Sequence, residues 1–118
     1  DGSLSTGHAN SAKDMLSRLE TMVLQGAEGL PLEAIRQQIA SAVDIMIFLS
    51  RLRDHSRKTM EITEVVGYEN GEIILNPLYQ FEEDKFSTLA KVSGSLKRTK
   101  NKMIHDYKLR LSGYRLEL

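Results

Sequence analysis

A mixed α/β fold is what this sequence predicts, on three observations. Two stretches carry apolar residues at helical spacing, a β-branched and aromatic run occupies Ile45-Met46-Ile47-Phe48-Leu49, and an Asn70-Gly71 pair joins two strand-like segments. At 118 residues there is room for one domain with one modest core, because a chain of this size buries roughly two-thirds of the surface it exposes when unfolded. Hydrophobic residues make up 41% and charged residues 27%, ordinary globular proportions that argue against a wholly disordered chain. Cysteine is absent, which excludes a disulfide framework and a thiolate metal site and fits a reducing compartment. No apolar run approaches the ~20 residues needed to span a bilayer, and the start does not read as a signal peptide. The chain begins Asp1-Gly2-Ser3-Leu4 rather than with Met, so we expect a piece cut from something longer.

Taken in order, Leu4 to Thr6 reads as the end of a strand leading into a loop with Gly7, His8 and Ala9. A helix follows. Asn10 or Ser11 can accept hydrogen bonds from its first free N–H groups, and Asp14, three residues after Ser11, makes a shortened capping box. Met15, Leu16, Leu19, Met22 and Val23 fall on one face, and Gly26 stops the helix. A linker from Gly26 to Pro31 leads to a second helix. Pro31 suits its first turn, and Leu32, Ile35, Ile39, Ala42 and Val43 form the expected buried stripe.

Asp44 to Arg53 has apolar side chains pointing both ways, the pattern of a central strand covered on both faces. Lys58–Tyr68 and Gly71–Phe81 are a hairpin pair, since both residues of Asn-Gly tolerate positive φ. The parity of apolar positions shifts between Ile62 and Val65, which places a bulge there. Pro77 cannot donate to a ladder, so its strand should be an edge or an end near that residue. Glu82-Glu83-Asp84 is a short acidic run before a basic tail, where Lys85 to Arg115 holds nine Lys or Arg against one acid, Asp106. Within the tail, Met103, Ile104, Tyr107 and Leu111 predict a short helix across Asn101–Leu111.

The chemistry readable from spacing alone is limited. No Gly-x-x-x-x-Gly-Lys-Ser/Thr occurs, so the chain has no loop of the usual kind to cradle nucleotide phosphates. Three widely separated histidines without cysteine offer no metal cluster, and His55 and His105 read as surface residues. A lone histidine such as His8 is more often structural or simply solvated than functional. Arg51, Arg53 and Arg57, alternating at a strand end, ordinarily face water. Clustered Lys and Arg in the tail invite a nucleic-acid reading through counterion release, yet only Tyr107 and Tyr114 offer stacking surfaces and no docking motif accompanies them. A solvated helix face, anionic headgroups or an acidic neighbour would suit the tail as well.

The segment Gly2-Ser3-Leu4-Ser5-Thr6-Gly7-His8-Ala9-Asn10-Ser11, followed by Leu16-Ser17-Arg18-Leu19-Glu20-Thr21-Met22, resembles the histidine box of the type II/IV secretion ATPase superfamily. The likeness is to the CpaF-like branch, which drives Tad and Flp pilus assembly. Pro31 to Asp44 resembles the next family helix, and Ser50-Arg51-Leu52-Arg53-Asp54 with Arg57, then Ile62 to Gly67, resembles the strands after it. The resemblance is most specific over residues 2–67 and loosens after about residue 82. His55 stands where many relatives carry Gly in an Asp-Gly turn, which makes that turn's geometry the point to check.

This resemblance implies the C-terminal part of a RecA-like P-loop ATPase domain over residues 1–82, with a basic C-terminal extension over 83–118 packed on it or trailing from it. It implies a parent that forms a homohexameric ring in the cytoplasm, peripheral to the inner membrane, and works with inner-membrane secretion or pilus platform proteins. ATP and Mg2+ would be the parent's cofactors. In the family the phosphate loop and an acidic magnesium-handling segment lie upstream of the histidine box, so this piece is expected to bind neither and to be inactive alone. His8 would sense the γ-phosphate with support from Ser5 and Thr6, while Arg51, Arg53 and Arg57 would lie at a subunit interface or contact phosphate. No specific nucleic acid is expected. The competing expectation is a small non-enzymatic module that binds nucleic acid or an acidic partner through the basic tail.

Overall fold

The computed structural model describes residues 3–26 and 29–113. Asp1 and Gly2, Ala27 and Glu28 of the linker, and Tyr114 to Leu118 lie outside the described residues, as do the side chains of Lys108 and Leu109. The order of elements is α1 (Ala12–Gly26), α2 (Leu32–Ala42), β1 (Ile45–Arg51), β2 (Arg57–Glu69), β3 (Glu72–Glu83), β4 (Gly94–Arg98) and α3 (Tyr107–Leu111). The strands form one antiparallel sheet in sequence order. Helices and sheet together give the mixed α/β architecture that the patterning predicts.

Helix α1 starts where the capping box places it. The Ser11 hydroxyl accepts the Asp14 N–H at 3.0 Å, and the Asp14 carboxylate accepts the Asn10 N–H at 2.9 Å, so two otherwise orphaned donors are satisfied reciprocally. Pro31 sits at the α2 N-cap with φ −61°, and the α2 side chains Ile35, Ile39 and Ala40 are buried. Leu16, Ile35 and Ile39 make the core, with Leu19, Val23, Val43, Met46, Ile73 and Leu75 packed around them. The buried stripes are narrower than expected: Met22 and Leu32 are exposed, as is Ala42, because the sheet reaches only the middle of each helix face. Arg36 ties the layers together, donating to Glu20 at 2.9 Å and to the Gly71 carbonyl at 3.0 Å.

The hairpin is as expected. Asn70 and Gly71 both have positive φ, 51° and 82°, which the tight two-residue turn between β2 and β3 demands. Register shifts fall at Ile62/Thr63 and Val65/Gly67, which bears out the bulge, and a third shift at Phe48/Leu49 has no sequence signal. Pro77 also stands where its missing N–H predicts. Strand β4 pairs only with Tyr79 to Glu83, so β3 has no strand on that side at Pro77, and the Thr99 hydroxyl and Asn101 amide donate to the Pro77 carbonyl.

Three expectations need correction. The run Asp44–Arg53 yields β1, which is an edge strand and not a central one, with Ile45, Ile47 and Leu49 exposed on one face and Met46 and Phe48 half-buried on the other. A run of apolar side chains pointing both ways is the same text whether both faces are covered or one is left open. Leu4–Thr6 is not a strand end: residues 3–9 have no regular structure and Leu4 is fully exposed, for no strand of the sheet pairs with them. In the tail, Gly94–Arg98 forms β4, and the helix shrinks to Tyr107–Leu111. Residues 99–106 lie across the sheet instead, held by backbone-directed hydrogen bonds that a helix would have to give up.

Candidate functional site

The segment Ser3–Ser11 is positioned from its C-terminal side. Asn10 and Ser11 are fixed by the capping box, and Arg18 adds a donor to the Asp14 carboxylate at 3.1 Å. The Asn10 N–H, with help from Arg18, holds the Asp14 carboxyl below its ordinary range, so the cap stays ionised. Gly7 lies directly over the Met15 side chain, where a Cβ would come within 3.0 Å of the Met15 sulfur. A side chain at position 7 would therefore require the flexible end of Met15 to move aside. His8 follows, exposed, with Ser5 and Thr6 exposed just before it. None of the three makes a hydrogen bond to another described residue, so the structure presents His8 at a helix entrance without building a site around it.

Arg51, Arg53 and Arg57 gather at the end of the sheet where β1 turns into β2. Arg51 and Arg57 are direct cross-strand partners and both are exposed, an arrangement of like charges that costs rather than contributes stability. Arg51 Nη2 lies 3.0 Å from His55 Nδ1. His55 has φ 68°, so the turn keeps the left-handed geometry that suits glycine although histidine occupies it. No hydrogen bond or ion pair joins these arginines to Ser5, Thr6 or His8.

Arg53 has a different task. Its guanidinium meets the Glu83 carboxylate through two bonds, 2.6 and 3.1 Å, and also donates to the Thr88 carbonyl at 2.7 Å and the Ser87 hydroxyl at 3.2 Å. The fork is therefore filled by protein, and it clamps the loop that follows β3. The Arg53 guanidinium, followed by the Ser87 hydroxyl, holds the Glu83 carboxyl below its usual range. Asp54 supports the same contact. Its carboxylate accepts the Ser56 hydroxyl and N–H and, on the other oxygen, the Val92 N–H at 2.8 Å, and these bonds place its carboxyl far below the ordinary range. The Asp-x-Ser spacing is a legible turn signal; the reach to Val92, 38 residues on, is not.

Glu64 is the residue that spacing gave no reason to single out. It is buried on β2, at 1% exposure, opposite Asn76 of β3. One carboxylate oxygen accepts the Ile104 N–H at 2.8 Å and the Asn76 amide at 3.1 Å, and the other accepts the His105 N–H at 2.8 Å. Asn76 also donates to the Lys102 carbonyl, and the His105 ring lies 2.7 Å from the Val66 carbonyl. The tail is therefore strapped to the sheet by its backbone. Several of its cations are engaged: Arg98 donates to the Leu78 and Asn101 carbonyls and lies over the Tyr79 ring, Lys97 approaches Glu82, and Arg110 pairs with Asp106. Among the described residues no group of three or more His, Asp or Glu could hold a metal ion, and no helix is long and apolar enough to cross a membrane.

No protein-family model matches the chain. Over 83 residues it is 29% identical to the conjugal transfer protein TrbB of Rhizobium radiobacter, a match that covers 70% of this chain and 24% of that protein. The chain thus spans about a quarter of the length of the curated relative it matches.

Proposed function

We propose that this chain is the C-terminal part of a RecA-like P-loop ATPase domain of the type II/IV secretion superfamily. Its parent would couple ATP hydrolysis in a homohexameric ring to secretion, pilus assembly or conjugal transfer at the cytoplasmic face of the inner membrane. The observation that carries this reading is the likeness to a conjugal transfer protein over 83 residues, in a chain that opens with the histidine box. His8, displayed on an irregular segment two residues before a fixed helix cap, is suited to meet a γ-phosphate held by another part of the parent. Phosphoryl transfer depends mainly on positioning and electrostatic stabilisation, so an imidazole in that place can act without covalent chemistry. Ser5 and Thr6 flank it. ATP and Mg2+ would be held by residues outside this chain. Of the three arginines, Arg51 and Arg57 remain suited to phosphate charge across a subunit boundary, whereas Arg53 is committed to Glu83.

The test has two arms. In the full-length parent, His8→Ala should lower ATP turnover by roughly 10²-fold, as for other preorganised groups aimed at developing charge, while size-exclusion chromatography shows the ring intact. Unchanged turnover would remove His8 from the mechanism. Titrated alone with Mg-ATP in a calorimeter, the 118-residue chain should give no saturable heat, and a saturable heat would contradict a phosphate site that lies elsewhere in the parent.

A further inference from the structure

We propose that the β3–β4 loop, residues 84–93, docks this chain onto an anionic lipid bilayer, with Phe86 and Leu89 entering the interface and Lys85 and Lys91 meeting headgroup phosphates. The loop displays two large apolar side chains in water, Phe86 at 71% exposure and Leu89 at 90%. Slack would be the ordinary explanation, but this loop is tightly pinned. Its backbone closes on itself through Asp84 N–H to Ser93 carbonyl at 3.0 Å and Thr88 N–H to Lys91 carbonyl at 2.8 Å. The Asp84 carboxylate accepts the Phe86 N–H at 2.9 Å and the Ser93 hydroxyl at 3.0 Å. From the neighbouring turn, Arg53 grips Glu83, Ser87 and Thr88, and Asp54 grips Val92. Val92 is turned inward and buried, while the apex residues are held out. At the loop's base Gly94 packs so closely that an added Cβ would run into the Glu82 carbonyl and lie 2.9 Å from Glu83 Cα. Exposure of Phe86 and Leu89 is imposed by the loop's construction.

Charge decides the occupant. Lys85 and Lys91 bracket the apex and are exposed, Lys85 lying 5.2 Å from the Phe86 ring, whereas of the nearby acids Glu83 is paired with Arg53, and Asp84 and Asp54 keep their charge but are turned to neutral donors at the loop's base, Ser93 and Val92 among them. Exposed Arg51 and Arg57 stand at the same end of the sheet and extend the positive field. A convex tip that is apolar at its point and cationic at its rim matches a surface that is negative outside and apolar just beneath, which is an anionic bilayer. Phe and Leu are among the side chains that interfacial segments bury at that boundary. Phe86, Leu89, Lys85 and Lys91 belong to no part of the nucleotide site proposed above; Arg51 and Arg57 are shared with it and are left unchanged in the test, so the two readings fail separately.

The test is co-sedimentation of the 118-residue chain with phosphatidylcholine vesicles, with and without phosphatidylglycerol. Binding is expected only with the anionic lipid. Phe86→Ser/Leu89→Ser and, separately, Lys85→Glu/Lys91→Glu should each weaken it by about tenfold or more, with circular dichroism unchanged. Leu89→Ser alone, at a side chain with almost no packing to lose, supplies the same test with no loss of fold. Inorganic phosphate should not displace the chain, and displacement would point to a free-phosphate site instead. Equal binding to both vesicles, binding indifferent to the apolar substitutions, or no binding at all would each overturn the proposal; the last would make the loop a protein contact.

Discussion

Glu64 shows how much one side chain can organise. Burial pushes its carboxyl up, but the Ile104 and His105 N–H groups and the Asn76 amide outweigh that cost and leave it below its ordinary value of 4.5. A carboxyl whose folded value is depressed contributes stability in full above its unfolded value. That contribution is lost as pH falls through the folded value. Glu64→Gln turns one acceptor into a donor facing a backbone N–H, so it should cost about 1–3 kcal/mol at pH 6. It should also reduce the loss of stability between pH 6 and pH 3, since part of that loss is the protonation of Glu64 itself; Asp14, Asp54 and Glu83, all depressed as well, carry the rest. Urea unfolding at the two pH values measures both effects. Parallel declines in wild type and variant would mean that Glu64 does not stay ionised in the fold. Nothing in the sequence marks this residue, because its partners are backbone groups 40 and 41 positions away.

At the scale of elements, local rules were legible where they were local. Ser11 with Asp14 set the start of α1, Pro31 the start of α2, Asn70-Gly71 the hairpin, and Pro77 the limit of β4 pairing, each through hydrogen bonds within a few residues or a fixed φ. The β1–β2 turn tests such a rule by breaking it. His55 occupies a positive-φ position, which costs a side-chain-bearing residue about 1–2 kcal/mol, and the Asp54–Ser56 bonds hold the turn in that shape. His55→Gly should therefore raise stability by about 0.5–1 kcal/mol, after allowing for the larger unfolded-state entropy of glycine. Thermal unfolding of the purified variant reads it. A fall in the midpoint would mean that the Arg51–His55 contact contributes more than the backbone strain costs. What could not be read was β4: Gly94–Arg98 is short and cationic, and only its pairing with Tyr79–Glu83 makes it a strand. The candidate site shared that limit. Arg53 reads the same as Arg51 and Arg57 until Glu83, 30 residues on, fills its fork.

For the whole molecule the decisive fact is that the sheet is packed by helices on one face, and that β1 is its outer strand. Leu16, Ile35 and Ile39 hold the helices to Met46, Ile73 and Leu75, while Ile45, Ile47 and Leu49 face away from that core. The radius of gyration, 16.7 Å, exceeds the about 13–14 Å of a compact domain of this length, as a thin layered arrangement with an exposed N-terminal segment should. A central strand covered on both faces and an edge strand open on one predict opposite outcomes for the same substitution. Were Ile47 buried, replacing it with lysine would strand a charge in the core and unfold a domain whose total stability is on the order of 5–15 kcal/mol. At 57% exposure it should instead change stability by no more than about 0.5 kcal/mol. Ile35→Ala, at a side chain with no exposure, removes packing on which both helices depend and should cost about 2–5 kcal/mol. Guanidinium unfolding of the two variants side by side makes the comparison. An Ile47→Lys chain as damaged as Ile35→Ala would show that another layer covers this face of β1 in solution.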